Sequence, residues 1–314
     1  MPCGRGGLHS TADEQYQPGR VQRRLGPEAV AELVEAYQQG GGIDELARQF
    51  ELHRTTVMAH PEVAVTNVRR AAFDALVERR SRGEPVAYLR GIKEFYGLAL
   101  SVDRRALIPR PETERLVELA LEHVRGVLTG APRDADAAPL RIRDVGTGSG
   151  AIAIALAVSL ARRGYAQAVT ILATDRSAEA LALALENAVA HGVADTVGFA
   201  KGDLLGLEAA PVPTDLVLGN LPYIPTADVA TLPLAAGFEP VEALDGGPDG
   251  MTLIRRLLAQ LPFALTVAGV ALLEIGSQQA EAARAAVAAE LPGWPASIES
   301  DLGGRPRVLI VRRP

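Results

Sequence analysis

Residues 140–161 read LRIRDVGTGSGAIAIALAVSLA: a β-like run over 141–145, a glycine turn over 146–150, and an apolar helical run immediately after. A strand that turns on glycine straight into a buried helix is the first βα unit of a doubly wound sheet, with the turn at the carboxyl end of the strand. Glycine at 146, 148 and 150 lets the backbone approach a ligand that a side chain would hold away. The turn by itself leaves three readings open. Gly146, Gly148 and Ala151 fit the relaxed G-x-G-x-x-A fingerprint of a nicotinamide or flavin site, S-adenosylmethionine fits equally, and a structural turn without a ligand is the third.

The 314 residues, 48% hydrophobic and 22% charged, suit two globular domains. The longest apolar run, 151–161, is too short to span a bilayer and is closed by Arg162 and Arg163. No apolar stretch of the signal-peptide kind stands in the first twenty residues, and the single cysteine, Cys3, has no internal partner, so the expected location is the cytoplasm. A net charge of −6 argues against nucleic-acid affinity of the whole protein, and the five histidines show no metal-ligand spacing, so no metal is expected.

Residues 1–20 are polar and glycine-rich and are expected to be a disordered tail. A helical unit follows, with helical periodicity over 27–38, 43–50 and 54–58, and a further amphipathic helix over 63–83 whose turns are marked by Val68, Ala72, Leu76 and Arg79. The string IDELARQFELHRTTV resembles the helix-turn-helix of resolvase-type recombinases, in which Arg54, Thr55 and Thr56 would open a recognition helix. Glu51 occupies the position where that family's turn carries glycine, and Pro61 cuts the helix short. DNA binding through residues 21–60 and a bundle devoted to protein contact are both open, the second favoured because Glu28, Glu32, Glu35, Asp44, Glu45 and Glu51 leave little positive charge.

Strand-like runs recur at 169–174, 197–200, 216–219, 270–275, 296–300 and 308–312, alternating with helical stretches, so seven strands covered on both faces are expected. Residues 130–139 read as a linker, and 88–102 as a hairpin turning around Lys93 and Glu94. Asp175 follows the second strand, where such sheets place the acid that holds ribose hydroxyls, and Asp203 follows the third, where a carboxylate can accept from an adenine amine. Either could instead cap a helix.

The fourth strand ends in Gly219-Asn220-Leu221-Pro222-Tyr223. The tetrad resembles the Asn-Pro-Pro-Tyr motif of methyltransferases that alkylate planar nitrogen, whether a glutamine amide or the exocyclic amine of adenine. An amide nitrogen is a poor nucleophile because its lone pair is delocalised, so a site must hold both N–H groups and aim the nitrogen. Asn220 can accept one hydrogen bond and the Leu221 carbonyl the other; Pro222 keeps Leu221 extended, and Tyr223 can lie against the flat group. Leu221 stands where the motif has its first proline, a change that leaves the backbone carbonyl in place.

The string IPRPETE at 108–114 then narrows the choice, and with the tetrad it resembles the HemK-type glutamine N5-methyltransferases of class 1 peptide chain release factors. EPVEALDGGPDGMTLIRRLL, LLEIGSQQ and DLGGRPRVLIV extend the likeness over residues 84–312. The resemblance implies an α/β class I methyltransferase, Rossmann-like, with a seven-stranded sheet and a small N-terminal helical domain. It divides the chain into a tail (1–20), a helical domain (21–86), a hairpin hinge (87–108) and a methyltransferase domain (109–314). It implies S-adenosyl-L-methionine as cofactor, held by Gly146, Thr147, Gly148, Ser149, Gly150, Asp175, Asp203, Leu204 and Asn220. Catalysis would fall to Asn220, Leu221, Pro222 and Tyr223, with Arg110, Pro111 and Glu112 also meeting the substrate. The partners implied are class 1 release factors, methylated on the glutamine of their GGQ motif. An adenine N6-methyltransferase on RNA or DNA, and a DNA-binding regulator with an inactive methyltransferase domain, are the alternatives.

Overall fold

A computed structural model describes residues 67–130, 138–206 and 213–314. The expected tail, the helix-turn-helix-like unit at 21–60 and most of the linker at 130–139 lie outside the described residues. The chain divides into two compact units, Met1–Val77 and Glu78–Pro314. The helix expected over 63–83 is described as α1 (Asn67–Ser81).

The second unit takes in the last residues of α1 and continues with a short helix, α2 (Val86–Arg90), and a hairpin of β1 (Ile92–Phe95) and β2 (Leu98–Ser101). Its turn is Tyr96-Gly97, not Lys93-Glu94, both of which lie within β1. A two-residue hairpin turn of this hand needs positive φ at both central residues. Tyr96 and Gly97 supply 52° and 73°, whereas the alternation that suggested an earlier turn runs back into residues that are helical.

Helix α3 (Glu114–Thr129) precedes the main sheet. Its strands are β3 (Leu140–Val145), β4 (Val169–Asp175), β5 (Val197–Lys201), β6 (Thr214–Gly219), β7 (Leu265–Glu274), β8 (Ala296–Ser300) and β9 (Pro306–Arg312). They lie in the order β5-β4-β3-β6-β7-β9-β8. The first five pair in parallel; β9 is antiparallel to both β7 and β8. Strand β7 begins earlier than its apolar run suggests, because pairing of Leu265 with Thr214 carries the ladder across a register shift ahead of Gly269.

The connecting helices are α4 (Ala151–Arg162), α5 (Ala178–Ala190), α6 (Thr226–Val229), α7 (Thr252–Ala264) and α8 (Ala280–Glu290). Alternate residues of the central strands feed two cores. Ile142, Leu216, Leu218 and Leu272 pack with α3 and α4, while Val145, Val217, Ala271 and Leu273 pack with α7 and α8. That period of two, apolar on both faces, is what a parallel sheet buried between helix layers requires. Helix α4 is apolar all round because Ala151 to Ala157 are all buried. After β3 the chain steps outward to β4 and β5, then returns to the other side of β3 as β6. That reversal opens a crevice at the carboxyl ends of β3 and β6, the place where open α/β sheets bind ligands.

Candidate active site

The register decides what meets at the crevice. Val145 pairs with Thr174 on one side and Gly219 on the other, so the glycine turn, Asp175 and Asn220 follow three adjacent strand ends at one level. A cleft of about 510 Å³ opens there, within the roughly 300–1,000 Å³ of small-molecule sites.

Gly146, Gly148 and Gly150 all take positive φ, at 71°, 56° and 83°. Their surroundings differ. A Cβ on Gly150 would stand 2.7 Å from Ile154 Cδ1 and 3.1 Å from Ala184 Cβ, so this glycine serves helix packing. A Cβ on Gly148 would meet nothing nearer than Ala106 Cβ at 3.9 Å, so that backbone borders open space. The turn is anchored from below. Gly146 and Thr147 both donate N–H to the Thr174 carbonyl, at 2.8 and 3.0 Å. Buried Asp144 accepts from the Thr147 hydroxyl at 2.6 Å and the Ala153 N–H at 3.2 Å, and burial pushes its carboxyl up to about 6.

Asp175 is not the helix cap. Ser177 caps α5, accepting from the Ala180 N–H at 3.1 Å. The Asp175 carboxylate instead accepts from the Gly148 N–H and the Ser177 N–H, both at 2.9 Å, which ties the glycine turn to the end of β4. Asp203 is exposed and paired with Arg256. Leu204 is buried with φ at 54°, a conformation rare for leucine, and its carbonyl accepts from the Thr174 hydroxyl at 3.2 Å. Strain of this kind concentrates at ligand sites.

On the other wall, Asn220 donates through Nδ2 to the Thr113 hydroxyl at 2.9 Å, joining the tetrad to IPRPETE across 107 residues. The Leu221 side chain is buried, its Cδ2 lying 3.0 Å from where a Gly146 Cβ would stand. The Tyr223 hydroxyl donates to Glu274 Oε1 at 3.3 Å, and burial pushes this phenol up to about 12. Behind the tetrad runs the DGGPDG loop, so close that a Cβ on Gly246 would lie 2.6 Å from the Pro222 carbonyl oxygen and 2.7 Å from Tyr223 Cα. Gln279 completes the backing by donating to the Tyr223 carbonyl at 2.8 Å.

Of the residues singled out from the sequence, Gly146, Thr147, Gly148, Ser149, Asp175, Asp203, Leu204, Asn220, Leu221, Pro222 and Arg110 line the cleft. Gly150, Pro111, Glu112 and Tyr223 are not among its lining residues. Three further residues shape the site. Thr113 lines it from a 3-10 turn at the start of α3. Glu239, buried, accepts from the Ile108 N–H at 3.0 Å and from Arg110 at 2.6 Å, which holds the IPRP segment in place. Glu274 ends β7 beneath the tetrad. Each stands inside a string that carries the family resemblance, Thr113 in IPRPETE, Glu239 at the head of EPVEALDGGPDGMTLIRRLL and Glu274 in LLEIGSQQ, but nothing in those strings says that the three side chains back one site.

Burial pushes the Glu274 carboxyl up to about 7, against the opposing influence of the Thr113 hydroxyl, Arg307 and Tyr223. The folded state therefore binds this proton more tightly than the unfolded chain, whose ordinary value is 4.5. Stability from the protonated form is fully present below 4.5 and is lost as pH rises through about 7. Glu274→Gln does not titrate, so between pH 5 and 8 its unfolding free energy rises relative to wild type by about 2 kcal/mol. Urea titrations of both proteins at the two pH values measure it; a constant difference contradicts the assignment.

Among the described residues, no helix is long and apolar enough to cross a membrane, and no group of three or more His, Cys, Asp or Glu is placed to hold a metal ion. Residues 46–91 match the PrmC N-terminal domain family. The chain is 39% identical over 245 residues to the release factor glutamine methyltransferase of Deinococcus radiodurans, covering 77% of this chain and 79% of that one. To the release factor glutamine methyltransferase of Xylella fastidiosa it is 37% identical over 295 residues, 92% of this chain and 99% of that one. Among solved structures, the human Mettl16 catalytic domain in complex with MAT2A 3′UTR hairpin 6 has a TM-score of 0.51 at 12% identity, covering 76% of this chain and 91% of that one, a likeness of fold alone.

Proposed function

The chain belongs to the release factor glutamine methyltransferases, and from that premise we propose that the cleft at the ends of β3, β4 and β6 methylates the GGQ glutamine of class 1 peptide chain release factors on its side-chain nitrogen. It is a class I methyltransferase, and its cofactor is S-adenosyl-L-methionine. The described residues suit that molecule: the open backbone at Gly148 admits close approach, and carboxylates at two successive strand ends can accept from a nucleoside's hydroxyl and amino groups. Asp175 is assigned to the ribose, Asp203 and Leu204 to the adenine, and the turn from Gly146 to Gly150 to the remainder.

When bound, this cofactor supplies a methyl group made electrophilic by its sulfonium. The chain supplies position. Asn220 Oδ1 accepts one N–H of the glutamine amide and the Leu221 carbonyl the other, so the nitrogen is aimed without being asked to ionise. Its surplus proton, strongly acidic once the nitrogen is alkylated, leaves to water. The observation that carries this reading is the Asn220–Thr113 hydrogen bond, which turns the donor end of the Asn220 amide away and leaves its oxygen for the substrate.

The division proposed for the chain keeps a tail at 1–20, a helical domain at 21–86, a hairpin hinge at 87–108 and the methyltransferase domain at 109–314. The match of residues 46–91 to the PrmC N-terminal domain covers most of the string that resembles a helix-turn-helix, which favours a release-factor-facing role over DNA binding. The cytoplasm, where such a substrate is found, is the proposed location. Incubation with labelled S-adenosylmethionine and either a class 1 release factor or total RNA tests the substrate: label enters the release factor and is lost when its GGQ glutamine is replaced. Labelling of RNA alone would establish the adenine reading instead.

A further inference from the structure

We propose that Glu274, acting through the Thr113 hydroxyl, determines which end of the Asn220 amide faces the substrate, and is thus a positioning residue for methyl transfer. The proposal rests on the reading of Asn220 as the holder of the acceptor amide and asks what fixes its orientation.

An asparagine amide has a donor end and an acceptor end of nearly equal size, so only its hydrogen-bond partners decide between the two orientations. Its partner here is a hydroxyl, which can donate or accept, so Thr113 alone cannot decide. The deciding group has to act on Thr113. Glu274 does: the Thr113 hydroxyl stabilises its charged form, and the Tyr223 hydroxyl donates to its Oε1 at 3.3 Å. The other oxygen, Oε2, is buried and has no hydrogen-bond partner among the described residues, an orphaned acceptor to which the proposal gives the threonine proton.

An ionised carboxylate can only accept. Thr113 then gives its one proton to Glu274 and must accept from Asn220, which turns Nδ2 toward Thr113, as observed at 2.9 Å, and leaves Oδ1 for a substrate N–H. With Glu274 protonated, the carboxyl can donate to Thr113, the threonine proton is free for Asn220 Oδ1, and the amide can turn over. It then presents N–H groups to a substrate nitrogen that carries N–H groups of its own, and the grip is lost.

The charged and titratable groups facing Glu274 are Arg307 on β9, Glu112 in the turn before α3, and Tyr223. Burial dominates over them, and with the carboxyl pushed up to about 7 both states are populated near neutrality. Neither a sulfonium nor an amide titrates between pH 6 and 9, so the two reacting groups themselves bring no pH dependence there, and the variants below identify the group that does.

The test is the pH dependence of kcat with an intact release factor. In wild type, kcat rises with pH through about 7 and levels off above it. Thr113→Val cuts the link while leaving the buried carboxylate alone, and serves if Glu274→Gln folds poorly. Both variants lower kcat at pH 8 by roughly tenfold, the usual scale for a misoriented positioning group, and lose the acidic limb. Affinity for S-adenosylmethionine and KM for the release factor stay within a few-fold, and Thr113→Ser restores both rate and limb. Absence of the limb in wild type, or its persistence in Thr113→Val or Glu274→Gln while Asn220→Ala is inactive, overturns this proposal alone. Unimpaired transfer by Asn220→Ala overturns the role of Asn220 and the proposal with it.

Discussion

Replacing Asn220 by alanine is expected to lower methyl transfer by on the order of a hundredfold or more while leaving cofactor affinity within a few-fold, because the interaction proposed for it is one that positions the reacting nitrogen. One N–H of its Nδ2 is given to Thr113, and the residue lies in the lining of the cleft, directly after β6. Truncation removes the acceptor without touching the glycine turn or Asp175. The neighbouring Leu221 has a different part. Its side chain is buried against Gly146 and the α7 side of the core, so it fills space between the two motifs in addition to the role proposed for its carbonyl. Single-turnover rates and calorimetry on the same preparation separate the two quantities. Unimpaired transfer by the variant would show the tetrad to be architectural.

Asp175→Ala raises the dissociation constant for S-adenosylmethionine or its demethylated product by roughly ten- to a hundredfold, the range expected when hydrogen bonds to a charged acceptor are lost. The effect has two sources. The carboxylate proposed to accept from ribose also holds the N–H of Gly148 and of Ser177, so alanine loosens the turn as well. The helix itself keeps its cap, Ser177, and therefore its fold. Calorimetry reads the change directly; an unchanged constant, or tight binding of NADH with none of S-adenosylmethionine, contradicts the assignment.

Much of this protein is legible in local pattern. The glycine turn followed by an all-apolar helix announces a strand-turn-helix unit, and the strand-like runs at 169–174, 197–200 and 216–219 each lie within an observed strand. These features depend on residues adjacent in the chain and on the two-residue period of a strand, which a sequence displays directly. The hairpin turn lies at Tyr96-Gly97 and not at Lys93-Glu94, because alternation alone does not say where φ becomes positive, whereas a glycine such as Gly97 marks such a place.

The tertiary structure decided what stands opposite what. Asn220 and Thr113 meet across 107 residues, and Ile108 and Arg110 meet Glu239 across more than that, pairings that no periodicity encodes. The same holds for Asp175, which local pattern offered equally as a helix cap and as a ligand group until Ser177 was seen to do the capping. Glu274 shows the limit most plainly. Its letter in the sequence is that of an ordinary surface acid, and only burial behind Tyr223, next to Arg307 and Thr113, moves its proton affinity into the neutral range. Identity and spacing of residues carry the chemistry a chain has available, but the dielectric around a carboxylate and the partner of an amide are properties of the packed whole.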